Sequence, residues 1–276
     1  MDQKASTNPD GKGAFARIWS VVLPYLFVLL STALVVWSFT GLWPDLAHIR
    51  NGMSGVRDYI SQMFPQNKPD WVYDYSLRDR LYQPLCATIQ MAVFGTVIGA
   101  ILAFPASFFA ARTGIIPRSL SAGIKSLFNV GRSVPTIIVA LIVVGAVGLG
   151  DGAGAVTLAL VTFVSLTKLF AEALETVNQG PIEAIRAVGG DSASVFVYGM
   201  MPQVFPVYLS TTLYSLEINL QSSFIIGIDG AGGLGYELIN DIHYYLMRDV
   251  GVIVFILIVA VNLVDYLSFR LRKVFA

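Results

Sequence analysis

The chain has 276 residues, 55% of them hydrophobic and only 13% charged, with no net charge and a mean hydropathy of +0.67. A soluble domain carries about 25% charged residues, so this is the composition of a membrane protein, and with no basic face nucleic acid is excluded as a partner. The single cysteine, Cys86, excludes an internal disulfide and any cysteine-based metal cluster.

The polar, basic stretch 1–20 contains Lys4, Lys12 and Arg17, and the uncharged run 21–39 follows it. That run is long enough to cross about 30 Å of hydrocarbon. It is too long for a signal-peptide core and lacks an Ala-x-Ala site. The expectation is a cytoplasmic tail and an uncleaved first span. In 40–84, Met53, Val56, Tyr59, Ile60, Met63 and Phe64 recur at helical spacing, which predicts a short helix lying on the membrane. Trp43, Trp71, Tyr73, Tyr75 and Tyr82 suit the headgroup level of this periplasmic, interfacial segment.

Five further apolar runs make up 85–276. Run 85–111 is uncharged, and Gly95, Gly99 and Ala103 repeat every four residues along it, a face that admits another helix at close range. Run 124–149 carries Arg132 and Pro135, and run 152–172 ends with Lys168 and Glu172 placed to pair. Run 204–228 has Glu217 at its middle, and run 250–269 closes with Asp265. Six crossings put both termini on one side. Eleven Lys and Arg then fall on that side against six opposite, which places the termini and the loop 175–202 in the cytoplasm.

A charge at mid-membrane costs at least ~2.5–3.5 kcal/mol, so Arg132 and Glu217 need partners or water. A cross-helix pair between them is one reading; Arg132 snorkelling to the interface is another. Ser133, Asn219, Gln221, Ser222 and Ser223 are candidates for lining a pathway, with helix-to-helix bonding as the alternative. Gly230, Gly232, Gly233 and Gly235 spell Gly-x-Gly-x-x-Gly, but no strand precedes them, so they predict a tight periplasmic turn and not a dinucleotide site. Asp229, Glu237, Asp241 and His243 read as solvated loop charges; no metal site is expected. There is no Gly-x4-Gly-Lys-Ser/Thr phosphate loop and no catalytic constellation.

The sizeable polar interruption late in the chain is 180–202. Gly180 ends what precedes it, and Pro181 suits a first helical turn. Ile182, Ile185 and Val188 share a stripe, Glu183 and Arg186 can pair, and Gly189-Gly190 stops the helix. Asp191 or Ser192 can cap the next one. This predicts an amphipathic knob.

Glu183-Ala184-Ile185, then Gly189, then Met201-Pro202 resembles the "EAA" loop of bacterial ABC importer permeases: Glu-Ala-Ala, three residues, Gly, nine residues, Ile, one residue, Leu-Pro. The chain departs from that pattern at Ile185, Gly199 and Met201. Arg132-Ser133-Val134-Pro135, Lys168 with Glu172 and Glu175, Tyr214 with Glu217 and Asn219, Gly227 with Gly230–Gly235, and Asp265 with Ser268 and Arg270 stand in order. From about 85 to 272 the chain is similar to permeases of the phosphonate (PhnE-like) branch, which includes phosphite and hypophosphite importers. The resemblance implies an all-α integral membrane protein with six transmembrane helices and a coupling helix between spans four and five. It implies a homodimer in the bacterial inner membrane whose interface forms the pathway. Two copies of a cytoplasmic ATPase, carrying ATP and Mg, would dock on Gly180, Pro181, Glu183, Ala184, Ala187, Gly189 and Pro202, and a periplasmic phosphonate- or phosphite-binding protein would deliver the solute. The chain itself would be a transport subunit without cofactor and not an enzyme. The alternatives are a gradient-driven transporter or channel relaying through Arg132, Glu217 and Asp265, or an ABC permease for another small solute.

Overall fold

Long uncharged runs have few ways to satisfy their backbone in an apolar medium, and the computed structural model, which describes residues 10–64, 75–112 and 117–275, has helices as its regular structure. The chain clusters into two units, 1–60 and 61–276. Helix α1 (Asp10–Met63) contains the candidate span Val22–Thr40, none of which is buried. The short membrane-surface helix expected around Met53 to Phe64 is instead the last part of α1, with no break before it. Of the interfacial aromatics, Trp71 and Tyr73 lie outside the described residues, as does the start of the N-terminal tail.

The second unit is built on α2 (Tyr75–Ala110) and α5 (Asp151–Glu175). Their contact is close because α2 offers no side chain where they cross. A β-carbon on Gly95 would sit 2.5 Å from Leu158 Cβ, and one on Gly99 would sit 2.6 Å from Thr162 Cβ. Ala103 is fully buried one turn further on, so the four-residue repeat is a packing face. Helix α8 (Met201–Ile226) packs on both, and α9 (Gly233–His243) and α10 (Met247–Phe275) close the unit. At one end Leu77, Leu81, Leu234, Leu238 and Ile253 form a buried cluster. At the other end a larger cluster gathers Leu166, Phe170, Leu174, Ile182, Val204 and Tyr208.

Run 124–149 is not one helix. It divides into α3 (Arg118–Arg132) and α4 (Thr136–Val147), bent by 86°. Pro135 has no N–H to donate back into α3 and disfavours the α conformation before it, so the break falls at Ser133–Pro135. Among the described residues, four helices are long and apolar enough to cross a membrane, or five if the bent pair counts as one span. Helix α8 has the length, 26 residues, but Glu217, Asn219, Gln221, Ser222 and Ser223 lower its hydropathy.

Candidate functional site

Helix α6 (Gln179–Ala187) forms the knob. It begins one residue earlier than the glycine signal suggests: Asn178 is the N-cap, its Oδ1 accepting the Gly180 N–H at 3.0 Å. Gly180 and Pro181 therefore lie in the first turn. Gln203, from the start of α8, braces this cap. Its Oε1 accepts the Asn178 N–H at 3.0 Å, and its Nε2 donates to the Gly199 carbonyl at 2.7 Å. Asn178 fits the N-cap preference, whereas nothing in the sequence marks Gln203 as a brace. The helix stops as expected. Gly189 takes a left-handed φ of +84°, and the Gly190 N–H returns to the Ile185 carbonyl at 2.9 Å. Asp191 then caps α7 (Ser192–Ser194), accepting the Ser194 N–H at 2.9 Å. Hydrogen bonding from the Ser194 side chain, and then from its backbone, holds the Asp191 carboxyl below the usual aspartate range. A π-helical turn, Val195–Met200, leads into α8.

The apolar stripe of α6 is shared between two destinations. Ile182 is 4% exposed within the cluster of Leu174, Val177 and Val195, and Ile185 packs against the same cluster. Val188, in contrast, is 85% exposed at the C-terminal tip. Glu183, Ala184 and Ala187 are exposed beside it, as is Pro202. Glu183 and Arg186 are both exposed and form no ion pair with each other among the described residues, so that expected pair is absent. A cavity of about 520 Å³ beside α6 is lined by Arg112, Gln179, Ile182, Arg186 and Ser192.

Two departures from the loop pattern compensate each other. Ile185 stands where the pattern has Ala, and Gly199 where it has Ile. A β-carbon on Gly199 would lie 3.2 Å from Ile185 Cδ1 and 3.4 Å from Ile182 Cγ1. The volume missing at 199 is filled from 185, a large-to-small exchange across one contact.

The pathway candidates fall into distinct groups. Arg132 and Ser133 lie at the exposed bend between α3 and α4, where Ser133 Oγ donates to the Val130 carbonyl at 2.7 Å. Arg132 has no ion-pair partner among the described residues. Glu217 is half-buried, and its partner is Arg272 of α10, with Nη2 to Oε2 at 3.4 Å. The expected Arg132–Glu217 pair is therefore replaced by one with a cation that charge counting put in the cytoplasmic tail. The long Arg side chain makes that reach possible. Asn219 is 4% exposed, and its Nδ2 donates to Thr162 Oγ1 at 2.7 Å and Thr96 Oγ1 at 2.9 Å. It ties α8 to α5 and α2, which is the helix-to-helix bonding given above as the alternative. Ser223 is buried and bonds the Leu220 carbonyl; Ser222 is half-buried; Gln221 is exposed. Lys168 and Glu172 approach to 3.8 Å on α5, as their spacing suggests.

The glycine segment makes the expected turn. Gly230, Gly232 and Gly233 all have positive φ, and the Gly233 N–H reaches Asp151 Oδ1 at 3.0 Å. Gly235 sits against the Phe224 carbonyl, leaving no room for a side chain. The nearby charges are not all solvated, however. Asp241 is 2% exposed and bonds Arg80 at 2.7 Å, and Arg80 also holds Asp249 at 3.0 Å. Burial pushes the Asp241 carboxyl above the usual aspartate value, and the Arg80 guanidinium only partly offsets it. No group of side chains suited to a metal occurs among the described residues.

Residues 103–276 match the family model described as binding-protein-dependent transport system inner membrane component. The phosphite transport system permease protein PtxC of Stutzerimonas stutzeri is 32% identical over 266 residues, 96% of this chain and 92% of that protein. The phosphate-import permease protein PhnE of Mycolicibacterium smegmatis is 35% identical over 193 residues, 70% of this chain but 36% of the relative. Among solved structures, an inward-facing MetNI methionine ABC transporter chain superposes with a TM-score of 0.60 at 24% identity, covering 73% of this chain and 97% of that one.

Proposed function

Because the chain belongs to the family of inner-membrane components of binding-protein-dependent transport systems, we propose that it is the permease subunit of an importer for phosphite, phosphonate or a related phosphorus oxyanion. The similarity to a phosphite permease along nearly the whole chain supports that solute class. Two copies enclose the pathway, six helices per copy cross the membrane, and both termini lie in the cytoplasm. A periplasmic binding protein delivers the solute. Energy comes from two copies of a cytoplasmic ATPase, which bind the ATP and Mg.

The observation that carries the coupling role is the division of labour along α6. Ile182 and Ile185 fix the helix to the membrane unit, while Val188, Ala187 and Gly189 are left projecting. A lever needs both properties: a rigid root and an apolar tip free to enter another protein. Movement of the docked ATPases then passes through α6 into α5 and α8, to which its cap and its buried isoleucine are fastened.

The test is purification of the tagged chain in mild detergent with its partners, followed by uptake in proteoliposomes. Ala187→Asp and Gly189→Pro are expected to release the ATPase and abolish uptake while the chain still inserts. Undiminished uptake in either variant would remove the docking role.

A further inference from the structure

Arg132 sits where a charge is costly. A β-carbon on Gly131 would lie 3.1 Å from Val164 Cγ1, and Val164 is at the middle of α5. Helix α5, at 25 residues, is ~37 Å long, and it is long and apolar enough to cross the hydrocarbon. Phe128 rings against Phe163, with centroids 5.5 Å apart, fix α3 at the same height. The bend 132–135 therefore lies near the centre of the bilayer.

Two independent features at that depth are incompatible with lipid. One is the guanidinium, exposed and with no ion-pair partner among the described residues. The other is the backbone: 133–135 is non-helical and exposed on this chain. Irregular backbone at membrane depth persists only where protein buries it or water reaches it, and an intramembrane arginine obeys the same rule. Glu217, the acid that a sequence reading would give Arg132, is engaged by Arg272 instead. No described residue of this chain forms an ion pair with the cation at the bend.

We propose that Arg132 lines the water-filled pathway and contacts the oxyanion in transit, making it the residue that selects anionic solutes at mid-membrane. This rests on the transport role given above. A guanidinium offers planar, paired donors that match a phosphorus oxyanion. Its exposed and unpartnered setting makes the contact transient, which transit requires. Ser133 is not a second donor of this kind, because its hydroxyl is used on Val130.

The experiment uses the assembled transporter in proteoliposomes with methylphosphonate and phosphite as probes. Arg132→Gln is expected to lower the initial uptake rate about tenfold or more, the scale of one charge-assisted hydrogen bond. Arg132→Lys should recover most of it. In a Cys86→Ser background, Arg132→Cys should react with an anionic, membrane-impermeant methanethiosulfonate, and either solute should slow that reaction. Wild-type uptake in Arg132→Gln overturns the proposal. So does an Arg132→Cys thiol that only a lipid-soluble maleimide reaches, even if the Gln variant assembles poorly. A wild-type complex that carries a neutral or cationic solute and neither oxyanion would remove the phosphorus-oxyanion reading along with this one.

Discussion

The knob around α6 and the bend around Arg132 are both polar interruptions in an apolar chain, and they are finished in opposite ways. At the knob nearly every interruption is closed from within. Asn178 and Asp191 cap, Gln203 braces, Gly190 returns a hydrogen bond, and Ile182 is buried. At the bend the chain supplies two backbone turns, Ser133 N–H to Val130 and Val134 N–H to Gly131, and leaves the guanidinium open. The difference teaches which parts of the subunit are complete alone. A lever must hold its shape before its partner arrives; a pathway wall acquires its surroundings only when water and a second copy enclose it.

That contrast can be broken most forcefully at Ile182. Ile182→Asp puts a carboxylate among Leu174, Val177 and Val195, where Arg112 and Arg186 across the adjoining cavity can only partly offset its burial. The expected cost exceeds ~4 kcal/mol, seen as a large fall in the melting temperature of the detergent-solubilised chain and as proteolysis between 176 and 192. Ala187→Asp introduces the same charge one and a half turns later on an exposed position and should leave the melting temperature where it was. If both variants melt alike, the root-and-tip division is wrong.

A smaller effect sharpens the picture of the Ile185–Gly199 exchange. Ile185→Ala opens a cavity in a half-buried contact and should cost about 1–2 kcal/mol, below the range for a fully buried site. Gly199→Ile alone overpacks the same contact, at about 1–3 kcal/mol. The double variant restores the Ala and Ile of the family pattern, and it should be more stable than the sum of the two by about 1 kcal/mol or more. Simple additivity in thermal denaturation would mean that the two positions do not share volume.

Local signals in the sequence carried the helices, the α2 packing face and the stop at Gly189, because each depends on neighbours three or four residues away. Gly95, Gly99 and Ala103 needed only their own spacing to define a face. The partners of long-range groups were not legible. Nothing in the order of residues says that Arg272, in a basic C-terminal turn, reaches Glu217, or that Asn219 spends its amide on Thr96 and Thr162. Those facts depend on how far α10 slides along α8 and how α2 and α5 meet. The 86° bend was half legible: Pro135 marked a break, but an apolar run of 26 residues (124–149) reads as one span unless the break is weighed above the length.

The smallest expected stability effect is the most diagnostic of the bend. If Arg132 has its partners only in the assembled transporter, then removing its charge takes nothing from the fold of the isolated chain. Arg132→Gln should leave the melting temperature of the solubilised subunit unchanged, within the ~0.5 kcal/mol typical of surface positions. Glu217→Gln supplies the comparison, because it strips Arg272 of its counter-ion in a half-buried site and should destabilise measurably. A chain that loses as much stability from Arg132→Gln as from Glu217→Gln has an internal use for Arg132, and the bend would then be as self-contained as the knob.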